Sequence, residues 1–404
     1  MRTLISVADA LQRVLEHATP LPPEEVPLTE AAGLVLAYPL AARRTQPPAD
    51  VSAMDGYAVR TVDVANAPVR LKVIGEVAAG RPFARTLAAG EAARIFTGGV
   101  VPDGADTIVI QEQTKRDGDH VAVEKAAPKG RHVRTRGLDF TLGQELFVAG
   151  HRLTARDLAL AAGMNHPLVP VHRQPKIALF ATGDELVSAG TEPAPGQIVS
   201  SNNYAIGALA RGEGATVEDF GIVRDNLDDT VAAVRRAREI GADILVTSGG
   251  ASVGEYDLVR EALAAEGLAL SFWKVALRPG RPMMHGRLGA MHVLGLPGNP
   301  VSAYVCAVLF LVPLIRQLCG RVDVAPALVT ARLGCDLPQN DERADYLRAV
   351  LTAGPDGTPV AMPAPVQDSS MLMPLAQADC LLVREPFAPA AKAGERCAII
   401  RLAA

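Results

Sequence analysis

Signatures of bound zinc and of disulfides are missing from this chain. Its five cysteines, Cys306, Cys319, Cys335, Cys380 and Cys397, form no CxxC pair, and its eight histidines form no HxxxH or HxH cluster. A zinc site therefore has little support, and an odd number of unpaired cysteines reads as reduced core thiols in a cytosol. Aromatic residues make up only 4% of the chain, with a single tryptophan, so a base-stacking platform is not expected. There is no cationic excess either. Against 44 acidic residues stand 40 basic ones, a formal net charge of −4, which argues against broad nucleic-acid binding. The N-terminal stretch carries Arg2 and Asp9 and no unbroken apolar segment, so no signal peptide is expected. The longest apolar run, Val301 to Ile315, contains Pro313 and falls short of the roughly 20 residues that span a bilayer. It reads as a buried core helix. The expectation is a cytoplasmic protein with neither nucleic acid nor membrane as a partner.

What is present is apolar bulk and rhythm. At 404 residues, 49% of them hydrophobic, the chain suits roughly two to four domains with substantial cores. Residues 6–18 place Val7, Leu11, Val14 and Leu15 on one helical face, prolines then end that helix, and residues 28–37 read as a second short helix. Residues 69–134 alternate in short glycine-punctuated segments, the pattern of a small inserted β-domain. A helix over 154–163 follows. From Lys176 strands and helices alternate: strands at 177–181, 216–223, 244–247, 269–276 and 292–296, helices at 202–211, 228–240, 258–266 and 301–318. Such alternation predicts a mostly parallel sheet covered on both faces. The tail returns to short strands. The fold class is thus multidomain α/β: a central doubly wound, mostly parallel sheet domain (173–322), an inserted small β-domain (51–139), a discontinuous N-terminal mixed, helical linker domain (1–50 and 140–172) and a C-terminal small β-barrel-like domain (323–404).

Ligands of open α/β sheets bind beyond the carboxyl ends of the strands, so the loops there matter most. The strand over 244–247 runs into Ser248-Gly-Gly-Ala-Ser-Val-Gly254. Gly249, Gly250 and Gly254 permit positive φ and expose backbone N–H groups, Ser248 and Ser252 add hydroxyls, and the helix start near Asp257 adds partial positive charge suited to an anion. No Gly-Lys-Ser/Thr follows, so it is not a Walker A loop. Thr182-Gly183-Asp184-Glu185, Arg224-Asp225 and Pro297-Gly298-Asn299-Pro300 follow three other strands. Asp184, Glu185, Asp225 and Asp257 would supply carboxylates beside a phosphate loop, a combination fitting Mg²⁺ with a phosphorylated ligand; Asp257 equally suits an N-cap, and Asp225 a turn. Asn299 can cap the next helix and Pro300 suits its first turn. Lys274, Arg278 and Arg281 cluster beside prolines and glycine. A solvated surface pair is worth only ~0–1 kcal/mol, whereas a cation ~4 Å from an anion in a half-buried cleft gains about 4 kcal/mol before desolvation. A dianion would justify the clustering better than a surface role. Arg343, Arg348 and Ser369 in the tail are surface residues on this reading unless that domain folds toward the rim.

At these residues the chain resembles the molybdopterin molybdenumtransferase family, relatives of the gephyrin C-terminal domain. The resemblance runs nearly end to end through Ser52-Ala-Met-Asp-Gly-Tyr-Ala-Val59, Ile95-Phe-Thr-Gly98, Val101-Pro-Asp-Gly-Ala-Asp-Thr107, Thr182-Gly-Asp-Glu-Leu186, Ser248 to Gly254 and Leu296-Pro-Gly-Asn-Pro-Val-Ser302. It implies a homodimer whose cleft lies between the α/β domain of one subunit and the inserted β-domain of the other. It also implies Mg²⁺-dependent insertion of molybdate into adenylylated molybdopterin, releasing AMP and molybdenum cofactor. Carried over position by position, Asp184, Glu185, Asp225 and Asp257 become the metal and catalytic acids, and Lys274 and Arg278 the cationic pocket. Thr182, Gly183, Ser248 to Gly250, Ser252, Gly254 and Arg281 become substrate-binding, as do Pro297 to Pro300, Arg343, Arg348 and Ser369. Asp55 and Thr97 become the residues reaching across the dimer. Molybdopterin adenylyltransferase and molybdoenzyme maturation proteins are the transient partners it suggests. Two departures stand out: arginines replace common lysines at 278 and 281, changing hydrogen-bond geometry but not charge, and a frequent Gln-Gly-Ser reads Gln367-Asp-Ser369. The rival readings are molybdopterin adenylylation, a similar loop in a smaller enzyme, and a non-catalytic scaffold of the gephyrin kind. Tungstate matches molybdate in charge and nearly in size.

Overall fold

In a computed structural model the described residues are 4–249, 258–354 and 357–402. Six strands form the central sheet: β1 Lys176–Thr182, β2 Thr216–Val223, β3 Ile244–Ser248, β4 Ala269–Trp273, β5 Met284–Leu288 and β6 Met291–Leu296. Their order is β2-β1-β3-β6-β5-β4. Strands β2, β1, β3 and β6 are mutually parallel, and β5 runs antiparallel to both β6 and β4. The sheet is therefore mixed. β5 is the strand that the spacing of strands and helices did not reveal; it pairs with β6 through a tight turn at Gly289, where φ is +63°, the short-hairpin geometry.

Side-chain alternation along the strands builds two cores, one on each face. Ile177, Leu179, Ile244, Val246 and Leu294 point into one core, with helix α1 (Asn202–Gly212) and the long helix Pro300–Leu318. Ala178, Phe180, Leu245 and Val293 point into the other, under α2 (Leu227–Glu239) and α3 (Leu258–Ala265). The Pro300–Leu318 helix is apolar and long enough to cross a membrane by length and composition, yet 83% of its most apolar window is buried in the protein. Pro313 lacks an N–H and would crowd a regular helix one turn back; residues Ala307–Leu311 relieve this by winding as a π-turn.

The segments flanking the inserted β-domain pair back on themselves. Pro23–Pro27 runs antiparallel to Leu168–His172, Leu40–Ala41 to Glu145–Phe147, and Val51–Ser52 to Val133–Arg134. Between them lies a six-stranded sheet of residues 56–123. The expected second helix over 28–37 is only a single 3₁₀ turn, Leu28–Glu30. Gly33 at φ +80° breaks it, and Val35 and Leu36 then bridge to Arg152 and Val171 as extended chain. The expected strand over 269–276 also breaks. It stops at Trp273, Lys274 adopts φ +80°, and Leu277–Arg278 joins the tail domain beside Ala344 and Asp345.

In the tail, Ala344–Ala353, Pro359–Pro363, Leu328–Leu333, Arg396–Arg401 and Cys380–Arg384 pair in a closed ring of five strands, a small barrel. The strand Pro359–Pro363 and the short helix Leu372–Ala376 were not expected from the sequence. Leu381 and Ile400 of the barrel share the first central core with Ala10 and Val14 of the N-terminal helix Val7–Leu15.

One feature of this packing predicts acid sensitivity. His285 and His292 are 2% and 3% exposed, with Nε2 of one 3.4 Å from Nδ1 of the other. Burial first, then the neighbouring imidazole of His292 for His285 and the Arg287 guanidinium for both, push them down to about 3 and about 4. An unfolded chain takes up these protons near pH 6.5, whereas the folded one refuses them until far lower pH. Stability is therefore whole above about pH 6.5 and falls toward pH 4, by at most ~1.4 kcal/mol per pH unit per histidine. Urea midpoints measured from pH 7 to pH 4 should show this slope, and His285→Phe should roughly halve it; a slope unchanged by that substitution would assign the acid loss to other groups.

Candidate active site

Register brings the strand ends to one lip of the central sheet. Thr182 lies beside Val223, Ala181 beside Ser248, and Ser248 beside Leu296. Across the rest of the sheet, Gly295 pairs with Met284 and Met284 with Trp273. The residues that follow these ends, Gly183 to Glu185, Asp225, Gly249, Pro297 and Lys274, consequently share that lip. Between β1 and β3 the connections leave in opposite directions, so a crevice opens there, the usual ligand position in such sheets.

Backbone meets backbone closely in this crevice. Gly249 has φ +89°, and a Cβ on it would overlap the Thr182 carbonyl oxygen. Its N–H donates to the Leu296 carbonyl at 3.3 Å. Gly183 has φ +151°, and a Cβ there would stand 2.6 Å from a carboxylate oxygen of Glu185; that carboxylate folds back over the end of β1. The Thr182 hydroxyl donates to Asp225 at 3.3 Å. Asp184, Glu185 and Asp225 are exposed and form no ion pair among the described residues. Gly250, Ser252, Gly254 and Asp257 lie outside the described residues.

Lys274 sits in a conformation that side chains rarely adopt, φ +80°, with Nζ 4.2 Å from the centre of the Trp273 ring. The Arg260 guanidinium lies 4.8 Å from the same ring. Backbone strain of this kind, ~1–3 kcal/mol, concentrates at functional sites. Arg281 is exposed and makes no ion pair among the described residues.

Arg278 is placed differently from the expected cationic pocket. Its Nε donates to Asp345 at 2.7 Å, its second terminal nitrogen also bonds Asp345, and Asp341 and Asn340 accept from it at 3.1 and 3.2 Å. The Asp345 hydrogen bond, reinforced by Asp341, holds the guanidinium pKa above its usual value. An incoming anion would have to compete with two carboxylates. Arg343 is likewise engaged by Asp341, at 2.7 Å.

The tail domain does fold toward the rim, and this changes the reading of Arg348 and Ser369. Arg348 is 1% exposed, not a surface residue. Its guanidinium bonds no carboxylate among the described residues; it donates to Gln367 Oε1 and to the carbonyls of Met371 and Val366. Burial pushes its pKa down. Arg348 thus staples the loop over 364–371, and that loop presents Ser369. The Val301 N–H, at the start of the long helix, donates to the Ser369 carbonyl at 3.0 Å, and Asn299 Nδ2 donates to Ser369 Oγ at 2.8 Å. Asn299 occupies the N-cap position, but its side chain makes no cap bond; a residue of the tail domain takes one of the helix's free donors instead. Pro300 stands in the first turn as expected.

Asp55 and Thr97 pair with each other within the inserted β-domain. The Thr97 N–H and hydroxyl both donate to Asp55 Oδ1 at 2.8 Å. Those two bonds, the backbone one foremost, hold the Asp55 carboxyl below its usual pKa.

Comparison with known proteins accords with this architecture. The family profile described as "MoeA N-terminal region (domain I and II)" matches residues 5–164, "Probable molybdopterin binding domain" matches 178–317, and "MoeA C-terminal region (domain IV)" matches 330–402. A molybdopterin molybdenumtransferase of Nostoc sp. is 40% identical over 332 residues, covering 80% of this chain and 76% of its own. The chain belongs to the molybdopterin molybdenumtransferase family. A Staphylococcus aureus member is 31% identical over 403 residues, covering 99% of this chain and 96% of its own. The crystal structure of a Pyrococcus horikoshii molybdopterin biosynthesis MoeA protein, 30% identical, superposes with a TM-score of 0.85 over 100% of both chains. The tie of Ser369 to Asn299 and the engagement of Arg278 by Asp345 are features of three-dimensional packing in this chain, and local sequence carries no signal for either. The same holds for Asn202, which sequence reasoning passed over: it opens α1 directly at the crevice.

Proposed function

We propose that this chain inserts molybdate into adenylylated molybdopterin with release of AMP, yielding molybdenum cofactor. The observation that carries the proposal is the lip itself: acids at the β1 and β2 ends, bare glycine backbone at β3, and a strained lysine at β4. An adenylate phosphate would lie at the Gly183–Gly249 crevice, and molybdate toward Lys274 and Arg281. Arg278 serves this site from behind, by tying the Leu277–Arg278 segment to the barrel.

Mg²⁺ fits the donor set. It typically takes one or two carboxylates and completes its shell with phosphate oxygens and water. Asp184, Glu185 and Asp225 are exposed and form no ion pair among the described residues. No three His, Cys, Asp or Glu side chains are grouped closely enough among the described residues to cage an ion unaided, so the ligand phosphate would complete the shell. One or two of Asp184, Glu185 and Asp225 would hold the ion, with Asp257 a further acid by family resemblance. When bound, it neutralises charge on the leaving phosphate and lowers the pKa of coordinated water. The chain's own work is positioning and electrostatics: the glycine backbone leaves room for the ligand, and Lys274 meets anionic oxygen where charge develops.

The working unit on this reading is a homodimer in the cytoplasm, with Asp55 and Thr97 completing the partner's cleft. Exposed apolar side chains at Leu138, Leu142 and Val148, 63%, 67% and 67% accessible, favour an associated state. The five free thiols suit a reducing compartment. The test is incubation with adenylylated molybdopterin and Mg²⁺, with and without molybdate. AMP release that requires molybdate is the expected result. Pyrophosphate made from ATP and molybdopterin without molybdate would instead mark an adenylyltransferase, and binding without turnover a scaffold.

A further inference from the structure

Asn202 ties the two loops of the crevice through a single atom. Its Nδ2 lies 2.6 Å from Ser248 Oγ and 2.7 Å from the Gly298 carbonyl oxygen. A carbonyl oxygen only accepts, so the atom facing it must be the amide nitrogen, and the orientation of this side chain is settled by chemistry. An amide NH₂ carries two donors and accepts nothing. Both are spent, one on Gly298 and one on Ser248, so Ser248 Oγ is the acceptor in its contact. The serine's own proton is therefore left over. Ser248 is 1% exposed at the end of β3, beside Gly249, and no other described residue accepts from its hydroxyl.

We propose that Asn202 is a positioning residue for this reaction: it forces Ser248 to act as a hydrogen-bond donor into the crevice, and so selects an acceptor such as a phosphate or carbonyl oxygen of the ligand. The proposal rests on the crevice being the site of the adenylylated pterin. Asn202 also sets the spacing of the two loops. Gly298 packs against Gly249, where a Cβ would lie 3.6 Å from the neighbouring Cα, and the amide bridge holds them at that distance. Gln at this position would be a methylene too long for both bonds.

The discriminating substitution is Asn202→Asp, nearly isosteric and opposite in hydrogen-bonding sense. A carboxylate would accept the Ser248 proton, turning that donor away from the ligand, and would face the Gly298 carbonyl without a hydrogen. Asn202→Ala merely frees Ser248, which keeps its proton but loses its aim. In the AMP-release assay the KM for adenylylated molybdopterin should rise about tenfold or more for Asn202→Asp and about threefold for Asn202→Ala, with kcat little changed, as expected for one hydrogen bond to a charged group. Ser248→Ala should match Asn202→Asp, and adding it to Asn202→Asp should change KM no further, because the two act through one hydroxyl. A packing role would give the reverse order, with Ala worse than Asp, and additive losses. That order, or an unchanged KM in Asn202→Asp, would overturn the assignment. Should Asn202→Asp fail to fold, the Asn202→Ala and Ser248→Ala cycle decides the matter by the same additivity criterion. If the unaltered chain releases no AMP, the functional reading beneath falls first, a result distinct from an insensitive Asn202.

Discussion

Asp184→Asn and Glu185→Gln should each slow AMP release by about 10²–10³-fold, the loss typical of removing one preorganised electrostatic contact to a reacting centre. Folding should be untouched. Both side chains are exposed and form no ion pair among the described residues, and substitutions at such positions usually shift stability by less than about 0.5 kcal/mol. The Glu185 carboxylate lies over Gly183 at the end of β1, so its neutral amide would occupy the same space without the charge. Raising Mg²⁺ should recover part of the activity, since weaker ligation is offset by mass action. A shared cleft adds a stronger test. In a two-fold dimer each of the two sites would draw Asp184 from one subunit and Asp55 from the other. Inactive Asp184→Asn and Asp55→Asn chains, unfolded and refolded together in equal amounts, should then regain about a quarter of full activity, because half the dimers are mixed and each carries one intact site. Full turnover by Asp184→Asn would remove the metal assignment. No recovery on mixing would confine the site to one subunit.

The lip was legible in the sequence because its parts are local. The loops after β1, β3 and β6 follow runs of buried residues, as in Ile244-Leu-Val-Thr247, and a fully buried parallel strand leaves its polar residues at its end. The alternation of strands with helices from Lys176 onward likewise announced two covered faces. What was not legible depends on partners far along the chain. Arg278 looked like a free cation, and the acid that takes it, Asp345, lies 67 residues on. Arg348 carries charge, which ordinarily means exposure; nothing near it in sequence says that three oxygens from residues 366–371 will enclose it. Residues 28–37 have helical composition, but Gly33 and two bridges to distant strands override it. Asn202 is one of two adjacent asparagines, and its ties reach 46 and 96 residues away. Asp55 and Thr97 belong to a third class. Only family resemblance singled them out, since a turn aspartate and a threonine have many ordinary uses.

Gly249→Ala should be the most damaging single methyl group in the domain. The residue's φ of +89° is disfavoured for any side chain, at ~1–2 kcal/mol. The new Cβ would also collide with the Thr182 carbonyl, a backbone atom held in the β1 pairing, so relief requires the strand ends to separate. Overpacking of that kind costs about 1–3 kcal/mol, and the two terms together suggest a loss of about 3 kcal/mol, readable in the urea midpoint. The functional loss should be larger than stability alone implies. Parting β1 from β3 moves Asp184 and Glu185 away from Ser248, and a misplacement of about 1 Å can cost ~10²-fold in rate. Gly212→Ala, at the end of α1, is the matched control: it has no atom within 4 Å of the added methyl and no positive φ, so it should be neutral or stabilise by up to about 1 kcal/mol. Equal urea midpoints and equal AMP release for the two variants would mean that the bare backbone between β1 and β3 meets no ligand, and that the acids and Lys274 on either side of it serve separate ends.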